Sequence, residues 1–225
     1  MGKFAKKIFF ILTYNIHIRI LLVDMKKTIK NVELLLNFSA EVGGVFSLAE
    51  LSSLFNITNQ QTLWGLIKQF EETAILTRFC RGIYITKNFD SQVLFSKVRG
   101  DAYISLGSAL AYHRVIGTES PYLISGLVLG KACEFTGKIN ISYSRISKDL
   151  FFGFSTLPNG AKIADPEKAF LDTLYFYQHG KTYYFNIFQD INTSLLSDKK
   201  IISYLAQFKN QKFQTFVRNY FNGKI

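Results

Sequence analysis

The sequence contains few of the residues that build disulfide frameworks or zinc centres. It has two cysteines and three histidines among 225 residues, namely Cys80, Cys133, His17, His113 and His179. Two thiols cannot form a disulfide framework or a four-cysteine zinc site, and the histidines are too widely spaced to complete one. We therefore expect no metal site and a reducing, cytoplasmic compartment.

Familiar catalytic motifs are absent as well, since the chain has no Walker A, HExxH, GxSxG or GxGxxG pattern. Three acidic residues do lie close together, and Asp165 and Asp172 are spaced to share one face of a helix. A different reading explains the start of that helix better: Asp165 caps it, Pro166 occupies its first position, and Glu167 favours the helix dipole. We expect no catalytic residue, no cofactor and no enzymatic activity.

No apolar run is long enough to cross a bilayer. The amino terminus begins with basic residues and continues into apolar ones, but its longest part without a charge, Ile8–Ile18, is too short to span. We expect no membrane partner and treat residues 1–27 as an uncertain leader. The favoured interpretation is an over-extended start that precedes a true first residue at Met25, with a disordered or docking arm and a membrane anchor as alternatives.

Acidic residues are outnumbered by basic ones, and the excess is unevenly distributed. The formal net charge is +11, from 27 Lys+Arg and 16 Asp+Glu, which predicts a polyanionic partner. Residues 1–30 carry +6, residues 31–90 carry −2 and residues 91–225 carry +7. The surplus therefore lies at the two ends of the chain and is missing between them.

The segment 31–90 has the pattern of a helix-turn-helix followed by a hairpin. A short helix is predicted at Val32–Phe38, and two further helices begin with capping-box spacing, at Ser47–Glu50 and at Thr58–Gln61. The apolar stripe of the last helix consists of Leu63, Leu66, Ile67 and Phe70. A hairpin over Ile75–Thr86 follows, and this order predicts a winged helix-turn-helix.

Polar side chains off this stripe are the predicted DNA contacts. Asn and Gln at the start of a recognition helix pair with adenine, and arginines on a wing reach phosphates or the minor groove. The predicted contacts are Asn59, Gln60, Gln61, Thr62, Lys68, Arg78 and Arg81. The alternative is an ordinary solvated helix start in a protein-binding winged helix, which the charge of −2 favours. The single tryptophan, Trp64, is expected in the core or at a domain interface rather than against a base.

Residues 91–225 are predicted to form a mixed α/β domain with a small sheet and carboxy-terminal helices, so that the whole chain is of the α+β class. The predicted elements are a helix opened by Tyr103-Ile104-Ser105, with Ser105 as its N-cap, and running to Arg114, strands at Tyr122–Leu129, Lys138–Arg145, Phe151–Phe154 and Ala161–Ala164, and a helix at Pro166–Tyr177. The stretch Asp198–Ile225 has six basic residues and one acid on amphipathic helices. A second anionic contact is predicted at Lys199, Lys200, Lys209, Lys212 and Arg218.

Five segments, taken in their order along the chain, resemble those of a known protein family. They are Arg81–Tyr84 (RGIY), Tyr103–His113 (YISLGSALAYH), Ile139–Ile146, Phe151–Phe154 (FFGF) and Ile163–Asp172, which ends in PEKAFLD. Together they resemble the AbiEi-like antitoxins of type IV, or abortive-infection, toxin–antitoxin systems. The match covers roughly residues 30–220, and PEKAFLD behind a winged helix is its most specific part.

The resemblance implies two domains, a winged helix-turn-helix DNA-binding domain at residues 28–90 and an antitoxin domain at residues 91–225. It implies an autorepressor that binds operator DNA of its own operon and counteracts a nucleotidyltransferase-type toxin in phage defence, without requiring a stable complex. The alternative is a winged-helix module that binds protein or RNA, with a basic carboxy-terminal domain and no specific operator. Because the segment 31–90 is slightly acidic, tight DNA binding requires help from the carboxy-terminal domain.

Overall fold

The computed structural model describes residues 25–221. Most of the predicted leader therefore lies outside the described residues. Within them the chain forms two compact units: the first runs to Arg78 and includes Tyr84–Asn88, and the second contains Phe79–Ile83 and the chain from Phe89 onward. The molecule combines helices with a three-stranded and a six-stranded sheet, which confirms the α+β class.

The amino-terminal part of the described chain alternates helices with short strands. Its elements are α1 over residues 25–41, β1 (Val45–Ser47), α2 (Leu48–Phe55), α3 (Gln60–Glu72), β2 (Thr77–Cys80) and β3 (Ile83–Ile85). Strand β3 lies between β1 and β2 in the three-stranded sheet. Helix α1 is longer at both ends than the predicted Val32–Phe38.

An apolar core holds the first unit together. Its buried members are Leu35, Phe46, Leu51, Leu63, Ile67, Phe70, Leu76 and Tyr84. Leu66, the remaining member of the predicted α3 stripe, is partly buried against this core, so the stripe is confirmed. Each large side chain buried in this way contributes about 1.5–3 kcal/mol, and this burial fixes which side of α3 faces outward.

The two predicted capping boxes have different outcomes. The Glu50 N–H donates to Ser47 Oγ at 3.2 Å and the Ser47 N–H donates to Glu50 Oε2 at 2.7 Å, so the first is confirmed. The second is wrong, because α3 begins after Asn59, whose Oδ1 accepts the Thr62 N–H at 3.0 Å. Asparagine is a stronger N-cap than threonine, and the cap therefore forms at Asn59 rather than at Thr58.

The second unit is a mixed sheet with helices. Its elements are α4 (Ser91–Val98), β4 (Ala102–Ile104), α5 (Leu106–Tyr112), β5 (Leu123–Val128), β6 (Cys133–Phe135), β7 (Asn140–Arg145), β8 (Phe154–Thr156), β9 (Lys162–Ala164), α6 (Pro166–Gln178), α7 (Asp198–Leu205) and α8 (Gln211–Tyr220). The strand order is β6-β7-β5-β4-β9-β8. Pairs β5–β7 and β4–β9 are parallel, and the other pairs are antiparallel.

Two predicted elements of this unit are wrong in their bounds. Ser105 occupies the N-cap position of α5 as predicted, although its side chain makes no capping bond, and the helix ends at Tyr112 rather than at Arg114. Tyr103 and Ile104, which precede the cap, belong to strand β4, which was not predicted. An aromatic and a β-branched residue suit a strand that has partners on both sides. Residues Phe151–Gly153 precede β8 rather than form part of it, because Gly153 adopts a left-handed backbone with φ 70° that no regular strand accepts.

Candidate nucleic-acid interface

The exposed side of α3 and its N-cap residue present the polar side chains that the sequence predicts for DNA contact. Asn59, Gln60, Gln61, Thr62 and Lys68 are all exposed, while the opposite side of the helix fills the core of the first unit. The first turn contains no acidic residue. The partial positive charge of the helix amino terminus is therefore not offset by a carboxylate on that turn, an arrangement that suits a polyanion.

Two of these side chains are already used by the helix itself. Asn59 Oδ1 accepts both the backbone N–H of Thr62, at 3.0 Å, and its hydroxyl, at 3.3 Å. The oxygen of Asn59 is therefore committed to the N-cap, and only its amide nitrogen remains for a partner. Gln60 and Gln61 are the exposed amides of this turn that are best placed to pair with a base.

Replacement of Asn59 by alanine is expected to lower the free energy of unfolding by about 1 kcal/mol, because α3 loses its N-cap. Asn59→Ser keeps a capping oxygen and is expected to unfold close to the wild-type midpoint. Urea denaturation followed by circular dichroism measures both variants. Equal destabilisation by serine and alanine would show that the side chain does not act as a cap.

Lys68 is held only loosely on the surface of α3. Its Nζ lies 3.8 Å from Glu72 Oε1, and the two side chains are 77% and 62% exposed. An exposed pair of this kind contributes little free energy, so Lys68 can exchange this carboxylate for a phosphate. The acidic residues of α3, Glu71 and Glu72, lie at its carboxyl end, and the helix is therefore most favourable to a polyanion at its amino end.

Trp64 is not a core residue. Its side chain is 43% exposed, so the prediction of a core position is wrong, while the domain-interface alternative stays a prediction. The helical rotation of about 100° per residue places Trp64 on the side of Gln61 and Lys68. Leu63 and Ile67 occupy the buried side. The indole is thus part of the exposed face of α3.

The two arginines of the hairpin fall in different units. Both are exposed, but Arg78 belongs with α3 in the first unit and Arg81 belongs to the second. Burial raises the pKa of Tyr84, and the positive charge of Arg78 opposes that rise. Within the second unit the ring of Phe79 lies 6.1 Å from that of Phe135. Only Arg78 therefore shares a compact unit with α3.

The five basic residues predicted as a second anionic contact differ in their partners. Lys200 Nζ lies 2.9 Å from Asp165 Oδ2 and 3.2 Å from Glu167 Oε2, so its charge is already balanced by two carboxylates. Lys209 pairs with Asp149 at 3.3 Å on an open surface. The exposed members without an ion pair in the part of the chain that the structure describes are Lys199, Lys212 and Arg218.

The acidic residues at the start of α6 join that helix to α7. Asp165 occupies the N-cap position, but its side chain makes no capping bond. It accepts the Tyr204 hydroxyl at 2.7 Å and pairs with Lys200, and these two donors turn it away from the α6 backbone. The prediction that its side chain caps the helix is therefore wrong. Glu167 Oε1 accepts the N–H of Ser197, the α7 N-cap, at 3.0 Å.

Asp172 belongs to a buried polar network that sequence reasoning missed. Its Oδ2 accepts the Ser105 hydroxyl at 2.8 Å and the Tyr103 hydroxyl at 3.0 Å. Lys168 Nζ contacts the other oxygen, Asp172 Oδ1, and donates to the Tyr103 hydroxyl at 3.0 Å. The side chains of Lys168 and Asp172 are both 0% exposed. No substrate reaches these groups in this conformation, so we assign the network a structural role.

Aromatic rings enclose the Lys168 ammonium. Its Nζ lies 4.9 Å from the ring centre of Phe152 and 5.5 Å from those of Tyr103 and Phe208. Burial lowers the pKa of Lys168 and raises that of Asp172, and the attraction between the two groups opposes both shifts. The ring faces add cation–π attraction, which offsets part of the desolvation of the ammonium.

A partly open polar cavity of about 260 Å³ lies against strands β5, β6 and β7. Glu119, Glu134, Lys181 and Tyr184 are among its lining residues. Glu119 Oε2 accepts the Ser108 hydroxyl at 2.5 Å, and burial raises the pKa of this carboxyl. Two carboxyl groups and one ammonium make a poor phosphate site, so this cavity does not extend the predicted anionic contacts.

The side chains and helices of residues 25–221 bear on metal binding, disulfide pairing and membrane crossing. No group of three or more His, Cys, Asp or Glu side chains in that range is arranged to hold a metal ion. Cys80 and Cys133 are not joined in a disulfide. Among the same residues no helix has both the length and the apolar character that crossing a membrane requires.

Comparison with known proteins gives no assignment. No protein-family model matches the chain, and no curated protein matches it either. The function must therefore be inferred from the residues described above, of which the exposed face of α3 is the most specific.

Proposed function

We propose that this chain is an AbiEi-like antitoxin of a type IV toxin–antitoxin system and represses its own operon. In this proposal the first unit is a winged helix-turn-helix that binds operator DNA. The second unit counteracts a nucleotidyltransferase-type toxin without requiring a stable complex. The chain acts in the cytoplasm, without catalysis and without a cofactor.

The observation that carries the DNA-binding half is the exposed, acid-free amino end of α3. Only residues 56–59 separate α2 from α3, and the strands β2 and β3 follow directly. In helix-turn-helix proteins the second helix enters the major groove with its amino-terminal residues against the base edges. Glutamine pairs bidentately with adenine N6 and N7 there, which gives Gln60 and Gln61 their proposed role.

The antitoxin half rests on the resemblance of the second unit. Its most specific segment, PEKAFLD, forms the first turns of α6 and supplies both Lys168 and Asp172. These two residues form the buried network with strand β4 and Ser105, so the segment acts as a determinant of this unit's fold. Relief of growth arrest, when the chain is expressed together with the toxin gene of its own operon, tests this half of the proposal.

Replacement of Gln60 and Gln61 by alanine is expected to erode discrimination between operator and random DNA by about 1–3 kcal/mol per lost base contact. Fluorescence anisotropy at one fixed salt concentration, with the upstream duplex and a scrambled duplex, measures this. Gln207→Ala, at an exposed glutamine of the second unit, is the matched control and should match the wild type. Unchanged selectivity in the double variant would remove α3 as the recognition helix.

A second candidate function is an interaction module that binds RNA or protein and has no specific operator. The segment Phe79–Ile83 at the tip of the hairpin favours this candidate, because it belongs to the second unit. A wing that contacts DNA normally extends from its own domain into solvent. The triple variant Lys199→Ala, Lys212→Ala and Arg218→Ala separates the two candidates. Loss of all nucleic-acid binding in this variant, with no effect of the Gln60 and Gln61 changes, would favour the interaction module.

A further inference from the structure

The exposed face of α3 contains an apolar feature that the proposed amide contacts do not explain. Trp64 is 43% exposed and lies on the same side of the helix as Gln61 and Lys68. A single apolar side chain on a protein surface carries no information by itself. Trp64 is informative because of the residue that follows it, Gly65.

Gly65 follows Trp64 in the middle of α3, where the fold does not require glycine. Its backbone has no positive φ, and a Cβ built on it meets nothing within 4 Å. Glycine inside a helix is less favourable than alanine by roughly 0.5–1 kcal/mol. The chain therefore accepts a loss of helix stability at a position where its own neighbours leave ample room for a methyl group.

The charge of the same surface points to the occupant. Gln61 lies in the first turn of α3, which has no acidic residue and carries the partial positive charge of the helix amino terminus. Trp64, Gly65 and Lys68 follow on the same side over the next two turns. Neutral amides, an ammonium and a bare backbone suit a polyanion that approaches closely. A·T base pairs present complementary groups to both kinds of side chain, since adenine N6 and N7 pair with an amide and the thymine C5 methyl offers an apolar contact to the indole.

We propose that α3 reads A·T base pairs through Gln61 and Trp64 together, with Gly65 as the point of closest approach to DNA. Gln61 pairs with adenine N6 and N7, and the Trp64 indole packs on the C5 methyl group of a thymine. Residues three apart on a helix have Cβ atoms about 5–6 Å apart, so the two side chains reach neighbouring base pairs. This inference rests on the proposed function and adds the base composition of the site.

Deoxyuridine substitution tests the methyl contact, because it removes only the C5 methyl of thymine. In the region of the upstream duplex that the full-length protein protects, each thymine is replaced in turn. At one or two positions the wild type is expected to bind about fourfold more weakly, the fold-change that corresponds to about 0.8 kcal/mol for one buried carbon. Trp64→Ala should bind the unmodified duplex more weakly than the wild type does. Deoxyuridine at the same positions should not weaken the binding of this variant further.

Gly65→Ala tests the close approach and separates binding from stability. The variant is expected to unfold at a higher urea concentration than the wild type, since alanine favours the helix. Its affinity for the upstream duplex is expected to fall about tenfold or more, the scale of one mismatched base pair. Gly117→Ala, at a glycine in open space outside any helix, and Tyr184→Ala, at a 93% exposed aromatic, are the controls.

The outcomes separate this inference from the proposal on which it rests. If the wild type does not bind the upstream duplex, the proposed function itself fails. If it binds, but no deoxyuridine substitution weakens it and Gly65→Ala binds as the wild type does, operator binding stands and the A·T contact is overturned. Deoxyuridine sensitivity that disappears in Trp64→Ala, with a more stable and weakly binding Gly65→Ala, supports the contact.

Discussion

Asp172→Asn is expected to lower the free energy of unfolding by about 3–5 kcal/mol, the usual result of removing one partner from a buried ion pair. The asparagine is nearly isosteric and can still accept from the hydroxyls of Tyr103 and Ser105. It leaves Lys168, which is 0% exposed, without an opposite charge. Urea denaturation followed by circular dichroism and by tyrosine fluorescence measures the loss.

Two further variants identify the origin of that loss. The double variant Lys168→Met/Asp172→Leu removes both charges and is expected to recover part of the stability, because no uncompensated charge remains buried. Lys209→Met breaks the pair with Asp149, whose side chains are 86% and 71% exposed, and should leave the midpoint unchanged. If Asp172→Asn unfolds at the same urea concentration as Lys209→Met, the buried pair does not stabilise the second unit.

Gly126→Ala is expected to destabilise the second unit by about 3 kcal/mol or more, the upper range for overpacking a closely packed core. A Cβ at this position of β5 would overlap the carbonyl oxygen of Tyr103 and the ring of Phe95, and would lie 3.0 Å from the Cα of Ile104. Ile104 is the paired residue on β4. The methyl group can therefore be accommodated only by moving one strand away from the other.

Thermal unfolding and limited proteolysis of the full chain measure this effect. Gly117→Ala is the matched control, because its added methyl meets nothing within 4 Å, and it should unfold with the wild type. A Gly126→Ala variant with the wild-type unfolding temperature would mean that β4 and β5 separate without loss of stability. Gly126 thus marks a position where the fold leaves no room for a side chain, whereas Gly117 marks a position where a side chain would fit.

Periodicity predicted the elements that have one buried and one exposed face. The α3 stripe and the alternation of Ile141 and Tyr143 with polar residues in β7 were both readable from the sequence, because burial repeats with the period of the backbone. The division of α3 into buried and exposed sides follows directly. That is why the predicted contacts Gln60 and Gln61 lie on the surface of the first unit.

Capping and propensity rules, which use only neighbouring residues, gave wrong predictions where a residue distant in the sequence binds the group in question. Asp165 has the sequence of an N-cap, but Tyr204 and Lys200 bind its carboxylate instead. The strand at Tyr103-Ile104 was not predicted, because its pairing with other strands is invisible in a local window. In each case the deciding contact comes from a segment far away in the sequence, which no capping or propensity rule contains.

The buried network was missed because its spacing has a commoner meaning. Lys168 and Asp172 are four residues apart, which usually indicates a solvated pair on a helix surface. The available signal was the composition of α6, in which apolar residues such as Ala169, Phe170, Leu171 and Leu174 fall on most sides of the helix. In the structure Glu167–Leu174 are all buried. A helix that has apolar residues around its whole circumference is enclosed by its neighbours, and charged residues within such a stretch have to be paired.

The parallel pairing of β4 with β9 has a consequence for the order in which the molecule forms during its synthesis. Ile104 of β4 pairs with Ile163 of β9, and the hydroxyls of Tyr103 and Ser105 donate to Asp172 of α6. The second unit is therefore incomplete until α6 has been translated. The core of the first unit is complete at Tyr84. Amino-terminal domains generally fold first during synthesis, and contacts distant in sequence form slowly. The nascent chain therefore possesses α3, the helix proposed to contact DNA, before it possesses the unit proposed to neutralise the toxin.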